Sequence, residues 1–414
     1  MPERGIPRDE ALPGAEGLTG PLGARAVASF LEARGWRATA SRPVQALYRP
    51  GREAVARHRV QAEGPGGGRR VLTIVTEVRA RRRDPVPPPS WFEDRFGVPE
   101  PVGEVGRFLV WAFPFDPGLP ALPEAADGRS VRDRLRHAAP AAVAVQPLTY
   151  RPRRRAVFRY RVVGSASEVL YGKVLRQRKL RRAREVMRRV RGRRVRLGTA
   201  TEAEGLLLSQ AVPGRSLRDV LVRGGPVPSP ARVAGLLGSL EAPGVGGEAP
   251  DPVADAGTTA SLIERIVPQA AGPAARVADR VERGAAGTPS PVGTVHGDLY
   301  EHQVLVDEGF SLGLVDLDDV GPGDLAVDAA NFTAHLVALA MAVPAAARRL
   351  LAYRSILVPA FAARLDVDVR DLAWREALSM LKLSVGPFRV LQPAWQAEVQ
   401  RRVEVALRLS QGWS

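Results

Sequence analysis

The stretch from Thr294 to Leu336 reads TVHGDLYEHQVLVDEGFSLGLVDLDDVGPGDLAVDAANFTAHL, and it carries the most informative pattern in the chain. Its short apolar segments, VLV and LGLV, and the VGTV that leads into it are typical of brief β-strands. Polar side chains stand where those strands end. His296, Asp298 and Gln303 fall on one connecting loop, and Asp316 follows directly on the next strand.

These residue types suit phosphoryl transfer from ATP. That reaction needs a base that orients the acceptor hydroxyl, oxygen ligands for Mg²⁺ and a cation on the phosphates. Mg²⁺ prefers carboxylate and amide oxygens and usually keeps several waters. Asp316 and the side-chain oxygen of Gln303 offer that pair, and Asp298 remains on the same loop to accept a hydroxyl proton. The alternative is a set of solvated loop carboxylates.

The loop resembles that of the aminoglycoside-phosphotransferase superfamily, relatives of the protein kinases with the same two-lobed fold. The family motif is HGDxxxxN, and this chain has His296-Gly297-Asp298, the four residues LYEH, and then Gln303. The spacing agrees, and Gln303 stands where the family has Asn. The glutamine keeps the amide oxygen but adds one methylene, which bears on Mg²⁺ affinity more than on the fold.

A second family motif follows about 18 residues later. An apolar pair plus Asp matches Leu314–Asp316, and a downstream G-D and D match Gly323-Asp324 and Asp328. The resemblance implies ATP and Mg²⁺ as cofactors and roles for six residues. Those roles are catalytic base for Asp298, metal ligand for Gln303 and Asp316, help with metal or substrate for Asp318, and loop support for His296 and Asp324.

The phosphate-binding cation is predicted from the scarcity of lysine. Of the 60 basic residues three are lysine, and one of them, Lys173, lies in the apolar strand VLYGKVL. In the kinase-like fold a strand lysine reaches the α/β-phosphates and is held by a glutamate on the following helix. Glu185 is the one acid of the predicted helix from Lys179 to Val190, so it is the predicted partner. The alternatives are an edge-strand lysine and a glutamate that both face solvent.

Two further segments are predicted to contact ligands. If the family arrangement holds, residues 209–212, and Gln210 and Val212 in particular, offer backbone groups to adenine. In GPFRVLQPAW, two prolines break the helical pattern and present Phe388, Arg389 and Trp395, an aromatic and charged floor that suits a sugar. Packing at the helix end is the alternative for these three residues.

The chain contains an internal repeat. LYRPGREAVARHRV (Leu47 to Val60) recurs as TYRPRRRAVFRYRV (Thr149 to Val162), with 9 of the 13 positions from Tyr48 onward identical. RRVLTIV then parallels SEVLYGK, so Val75 is the predicted counterpart of Lys173, and the first copy is predicted to be non-catalytic. The alternative is a pair of unrelated arginine-rich hairpins.

These patterns predict an α+β fold. It is a bilobal protein-kinase-like fold with a small β-rich N-lobe and a large helical C-lobe, preceded by a degenerate duplicate of the N-lobe. The predicted parts are a flexible lead-in (1–22), an N-lobe-like domain (23–135), an N-lobe with the ATP lysine (136–213) and a helical C-lobe (214–414).

Composition excludes several classes. The chain has no cysteine, which excludes disulfides, thiolate catalysis and cysteine-based metal sites. No run approaches about 18 uninterrupted apolar residues, and no signal peptide is visible, so a cytoplasmic location is predicted. The net charge of +16 can signal nucleic acid or an anionic membrane. Because the bias is towards arginine, as in a GC-rich coding sequence, we predict neither partner.

The resulting prediction is a small-molecule kinase that phosphorylates a hydroxyl of a sugar, an amino sugar or an aminoglycoside-like acceptor. The C-terminal part shows no acidic cluster of the kind a polycation needs, which weakens an aminoglycoside acceptor. One alternative is a catalytically silent pseudokinase that acts as a binding or scaffold protein, suggested by Gln303 and the decayed first repeat. The presence of Lys173, Asp298 and Asp316 speaks against it. A nucleic-acid-associated protein rests on charge alone.

Overall fold

The computed structural model describes residues 5–81, 87–135, 141–164, 168–198, 200–247, 251–288 and 290–412. The chain divides into two compact units. Unit 1 comprises Met1–Leu180, Thr201–Gln210 and Pro387–Trp395, and unit 2 comprises Arg181–Ala200, Ala211–Gly386 and Gln396–Ser414.

The strands and helices alternate along the chain, with most strands before residue 217. The strands are β1 (Arg37–Arg49), β2 (Glu53–Glu63), β3 (Arg69–Arg79), β4 (Val102–Val105), β5 (Phe108–Ala112), β6 (Ala142–Arg151), β7 (Arg155–Val163), β8 (Glu168–Leu175), β9 (Arg191–Gly192), β10 (Arg196–Leu197), β11 (Ala200–Ala203), β12 (Leu206–Gln210), β13 (Arg215–Ser216), β14 (Leu240–Glu241), β15 (Val292–Val295), β16 (Val304–Val306), β17 (Leu312–Leu314) and β18 (Gly321–Asp324). The helices are α1 (Pro21–Glu32), α2 (Phe92–Phe96), α3 (Leu122–Ala126), α4 (Gly128–Arg134), α5 (Gln177–Arg189), α6 (Leu217–Arg223), α7 (Pro230–Ala234), α8 (Pro252–Ile266), α9 (Ala271–Gly287), α10 (Leu325–Ala342), α11 (Ala347–Leu365), α12 (Val369–Ser384), α13 (Gly386–Arg389) and α14 (Trp395–Leu409).

Unit 1 contains two five-stranded sheets with the same strand order. The first runs β1-β2-β3-β5-β4 and the second runs β6-β7-β8-β12-β11. The two halves of the sequence repeat occupy matching places, since Tyr48 pairs with Ala54 in the first sheet and Tyr150 pairs with Ala156 in the second. The predicted α+β class, with a β-rich N-terminal part and a helical C-terminal part, is confirmed.

The hydrogen-bond register corrects one counterpart. Lys173 lies between Val157 and Leu207, whereas the residue flanked by Val55 and Leu109 is Glu77, not Val75. Since Val55 and Val157 are matched by the sequence repeat, and Leu109 and Leu207 by its continuation, Glu77 is the structural counterpart of Lys173. The predicted pairing of Lys173 with Val75 is wrong by two positions.

A buried aspartate holds each hairpin turn in the same way. Asp116 accepts hydrogen bonds from the Tyr150 hydroxyl and from the Arg153 backbone N–H, both at 2.8 Å. In the first sheet the matching bonds run to Asp9, from the Tyr48 hydroxyl at 2.9 Å and from the Gly51 N–H at 2.7 Å. Both turn residues have positive φ, +68° at Gly51 and +62° at Arg153.

The described part of the predicted lead-in is packed and not frayed. Ile6, Leu12 and Leu18 are at most 3% exposed, and Asp9 is 7% exposed. Apolar side chains that bury to this degree contribute about 1.5–3 kcal/mol each to stability. Residues 5–22 therefore form part of the first sheet's support.

Unit 2 is built around α10. Asp324, at the N-cap of α10, accepts a hydrogen bond from the Ala326 N–H at 2.8 Å. Helices α11 and α12 pack against α10. By length and composition α10 is the one described helix that could cross a membrane, but 67% of its apolar stretch is buried inside the fold. It serves as the core helix of this unit.

Candidate active site

The loop that follows β15 is anchored by a buried carboxylate. Asp328, on α10, accepts from the His296 N–H at 2.6 Å and from the Gly297 N–H at 3.0 Å. A Cβ atom at Gly297, where φ is +82°, would lie 2.7 Å from the Asp319 carbonyl oxygen, so the turn requires glycine. These contacts fix the backbone immediately before Asp298.

The imidazole of His296 ties the same loop to the end of β17. Its Nε2 lies 2.9 Å from the Val315 carbonyl oxygen, which can only accept, so Nε2 carries the proton. The Nδ1 atom is buried and has no partner among the described residues. This hydrogen bond joins the loop to the residue that precedes Asp316.

The electrostatics of the loop are dominated by buried carboxyls. Burial raises the pKa of Glu301 to about 7; the nearby Arg218 opposes this shift and Asp298 adds to it. Burial also raises the pKa of Asp328, and the charge of His296 and the two backbone bonds oppose that rise. Asp298 is half-buried near these groups.

The predicted metal ligands meet. The Gln303 side-chain Nε2 donates to Asp316 Oδ2 at 3.2 Å, and the Val315 N–H donates to the Gln303 carbonyl oxygen at 3.1 Å. Asp316 adopts left-handed backbone angles, φ +62° and ψ +50°, a conformation that non-glycine residues hold only where the surroundings impose it. Asp318, on the 3₁₀ turn that follows, is 3% exposed.

This donor set fits Mg²⁺. The described residues contain no cluster of three or more His, Cys, Asp and Glu side chains, but two carboxylates and one amide oxygen suffice for Mg²⁺. That ion takes only one or two carboxylates from the protein and fills its other positions with water and phosphate. The amide of Gln303 would have to turn its oxygen towards the ion.

Asp324, the N-cap residue of α10, has further side-chain partners. Its carboxylate accepts from the Ser290 hydroxyl at 3.0 Å and from Arg375 at 2.7 Å. The Arg375 side chain is fully buried and stacks on the Trp374 ring at 4.2 Å. This network holds the start of α10, and with it Asp328.

The nucleotide-contacting residues predicted in the N-terminal part stay predictions. Lys173 lies in the interior strand β8, and the acid–base pair that Glu185 makes is with Arg189, one helical turn away, at 3.2 Å. Gln210 ends β12, with its side-chain Nε2 3.5 Å from Glu168 Oε1, and Val212 follows it.

The predicted aromatic floor is not formed. Phe388 and Trp395 are each 1% exposed, and their ring centroids lie 5.0 Å apart, so both are packing residues. The segment breaks the helical pattern because the chain turns here to bury the two rings. Arg389 lies near Arg151 and Arg49; burial and these like charges lower its pKa. Its contact with an acceptor stays a prediction.

Sequence reasoning assigned no role to Asp328 or Glu301. Asp328 was matched to the family motif, and its task became visible only when α10 was placed under the loop. Glu301 stands between Asp298 and Gln303 in the sequence, where an acid inside a loop is ordinarily solvated. Its burial depends on packing that has no sequence signal of its own.

Comparison with known proteins gives a family and several similar folds. The sequence pattern of the phosphotransferase enzyme family (APH) matches residues 90–364. No curated protein matches the chain. The structure is similar to that of a thermostable mutant of aminoglycoside phosphotransferase APH(4)-Ia, solved with ADP and hygromycin B (TM-score 0.48, 15% identity, 70% of this chain and 100% of that chain).

Two further solved structures are also similar. A Plasmodium vivax ethanolamine kinase has a TM-score of 0.43 at 11% identity, covering 63% of this chain and 82% of that chain. A choline/ethanolamine kinase family protein from Mesorhizobium loti has a TM-score of 0.44 at 16% identity, covering 64% and 87%. The family match spans well over half of the sequence and includes the anchored loop, Gln303 and Asp316, and the chain belongs to the phosphotransferase enzyme family.

Proposed function

We propose that this protein is an ATP- and Mg²⁺-dependent phosphotransferase that acts on a hydroxyl group of a small molecule. The observation that carries the proposal is the meeting of Gln303 and Asp316 at 3.2 Å, beside a loop whose backbone is fixed by Asp328. Family membership supports the reaction class. A sugar, an amino sugar or an aminoglycoside-like molecule is the proposed acceptor, and the cytoplasm is the proposed location.

The proposed division of labour follows from the residues. When bound, Mg²⁺ would neutralise charge on the transferring phosphate, and Gln303, Asp316 and Asp318 are the residues proposed to hold it. Asp298 would orient the acceptor hydroxyl and accept its proton as the new O–P bond forms. Lys173 would bind the phosphates. Asp328 and His296 keep Asp298 in place so that little reorganisation is needed during the reaction.

The test is ADP release measured by a coupled assay with Mg-ATP across a panel of sugars, amino sugars and aminoglycosides. Asp298→Asn is the base-minus variant, and Asp366→Asn, an exposed aspartate at the end of α11, is the matched control. We expect acceptor-dependent turnover that falls by roughly 10²–10⁴-fold in Asp298→Asn and is unchanged in the control.

Nucleotide binding separates the remaining outcomes. Turnover that survives Asp298→Asn would exclude the proposed base. Absence of turnover together with absence of Mg²⁺-dependent ATP binding would overturn the kinase proposal in favour of a catalytically silent binding protein. Tight ATP binding without turnover would direct the search to other hydroxylated acceptors.

A further inference from the structure

Unit 2 contains a second cleft, at the far end of the hairpin that carries the metal ligands. Strand β16 begins directly after Gln303, and strand β17 ends two residues before Asp316. Residues 309–312, where the chain turns from one strand to the other, line this cleft. Strands of three residues span roughly 10 Å. The cleft is therefore distinct from the candidate active site, and its ligand chemistry can be read independently of the proposed function.

The cleft has the size of a small-molecule site. Its volume is about 810 Å³, within the range of roughly 300–1,000 Å³ that such sites have. Its wall is formed by the loop after β9, the end of α7 with the residues that follow, the 309–312 turn and the last turn of α11.

The wall is strongly basic. Four arginines line it, Arg193, Arg194, Arg232 and Arg364, and its described lining includes no aspartate or glutamate. Arg193 forms an ion pair with Glu241, and Arg232 donates to the Phe310 carbonyl oxygen at 2.9 Å. Within the described part of the chain, Arg194 and Arg364 have no acidic partner. The guanidinium groups of Arg194 and Arg364 are therefore available to an anion.

A buried hydroxyl gives independent support for a ligand. Ser239 lines the cleft and is 6% exposed, yet its Oγ has no hydrogen-bond partner among the described residues. Its backbone is fully used, since its N–H donates to the Leu236 carbonyl oxygen at 3.0 Å and its own carbonyl accepts from the Arg193 N–H at 2.7 Å. Buried polar atoms are nearly always satisfied, so an orphaned hydroxyl beside a basic cleft needs a partner.

We propose that this cleft binds a phosphate group, either as inorganic phosphate or as the phosphate of a small ester, with Arg194 and Arg364 as its charged contacts and Ser239 as a hydroxyl donor. Phosphate matches the planar donor fork of arginine, which binds two oxygens of one group at once. Ser311, also on the wall, is the next available hydroxyl.

Calorimetric titration of the full chain with inorganic phosphate, pyrophosphate and glycerol 2-phosphate tests this proposal. We expect saturable binding that weakens by roughly tenfold or more in Arg194→Gln and in Arg364→Gln, because each loses a charge-assisted hydrogen bond. Arg348→Gln, another exposed arginine on α11 but outside the cleft, should bind as the wild type does. Both cleft arginines are exposed, so their variants should keep the wild-type melting temperature.

Ser239→Ala separates a binding role from a structural one. A hydroxyl that only packs would leave affinity unchanged when removed, whereas the proposal expects a severalfold loss with no loss of stability. Tighter binding of glycerol 2-phosphate than of phosphate would support a phosphate ester as the ligand, and the reverse order would support free phosphate. Failure of all three probes to bind, or binding that none of the cleft variants weakens, would overturn the proposal.

Discussion

Asp328 holds the turn at His296 and Gly297 through two hydrogen bonds to backbone N–H groups, at 2.6 and 3.0 Å. Asp328 is 4% exposed, so bulk water does not compete for these two N–H groups in the folded chain. The sequence placed Asp328 in a family pattern but gave it no task, since its contact joins residues about 30 positions apart. Asp298, by contrast, could be singled out from local spacing alone.

The role of Asp328 predicts the effect of Asp328→Asn. The amide keeps one acceptor oxygen but turns an NH₂ group towards a backbone N–H, so one buried donor loses its partner. We expect a stability loss of about 1–3 kcal/mol and a fall in kcat that exceeds any change in KM for ATP. Urea unfolding and steady-state kinetics measure both, with Asp366→Asn as the exposed control. An unchanged kcat would show that the turn does not depend on this anchor.

Glu301 predicts a pH dependence of stability. Its folded pKa of about 7 lies above its ordinary value of 4.5, so the folded chain binds this proton more tightly than the unfolded chain. The stabilisation that comes from binding this proton is complete below about pH 4.5 and is lost as the pH rises through 7. Glu301→Gln keeps the shape of the side chain but does not titrate. When the pH is raised from 5 to 8, we expect the free energy of unfolding of the wild type to fall by about 2 kcal/mol more than that of Glu301→Gln. Urea unfolding at both pH values measures this, and equal losses in the two chains would contradict it.

At the scale of elements, the two sheets of unit 1 show what a repeat in the sequence can and cannot predict. Identical residues in the hairpins fixed the pairing of the first two strands of each sheet. The sequence repeat aligned the third strands, β3 and β8, two residues out of register. A shift of two leaves every side chain on the same face of a strand, so the apolar pattern is equally satisfied by both alignments. Only the hydrogen bonds to both neighbouring strands identify Glu77 as the counterpart of Lys173.

The exchange of lysine for glutamate at this position has a structural consequence. Glu77 is 1% exposed and forms ion pairs with Arg79, at 2.9 Å, and with Arg153 from the hairpin turn of the second sheet. Burial raises the pKa of Glu77, and the charge of Arg153 is the first of the effects that oppose it. At the position equivalent to Lys173, the first sheet thus has a glutamate that contacts the second sheet's turn.

This contact predicts the stability of two variants. Glu77→Gln leaves the buried guanidinium of Arg153 without its carboxylate, and we expect a loss of about 3–5 kcal/mol in the free energy of unfolding. Adding Arg153→Gln should recover part of that loss, because the uncompensated charge is then gone. Glu63→Gln, which removes the solvent-exposed pair with Arg37 and Arg69, is the matched control and should change little. Additive losses in the double variant, measured by urea unfolding, would contradict the coupling.

At the scale of the whole molecule, the strand, helix and motif patterns predicted the class of the fold but left the extent of its parts a prediction. The family pattern begins at residue 90, within the segment predicted to be a separate first domain. Asp116 binds the second sheet's hairpin turn as Asp9 binds the first, so we propose that the second copy starts near Asp116 and not at residue 136. The two bonds on which this proposal rests join residues more than 30 positions apart, so local sequence patterns carry no signal of them.

The same contacts predict that residues 136–414 do not fold alone. The second sheet depends on earlier residues for the bonds from Tyr150 and Arg153 to Asp116, for the carboxylate of Glu77, and for the Ala125 carbonyl oxygen that accepts from the Tyr160 hydroxyl at 2.8 Å. Tyr150 and Tyr160 are both at most 5% exposed, and each buried hydroxyl left without a partner costs about 1–3 kcal/mol. Their sum approaches the roughly 5–15 kcal/mol that stabilises a typical domain. We therefore expect the shortened chain to lack a cooperative thermal transition by circular dichroism, while a chain that begins at residue 5 keeps the full-length transition. A cooperative transition in the 136–414 chain would show that the first sheet is an independent appendage and that its contacts to the second add little.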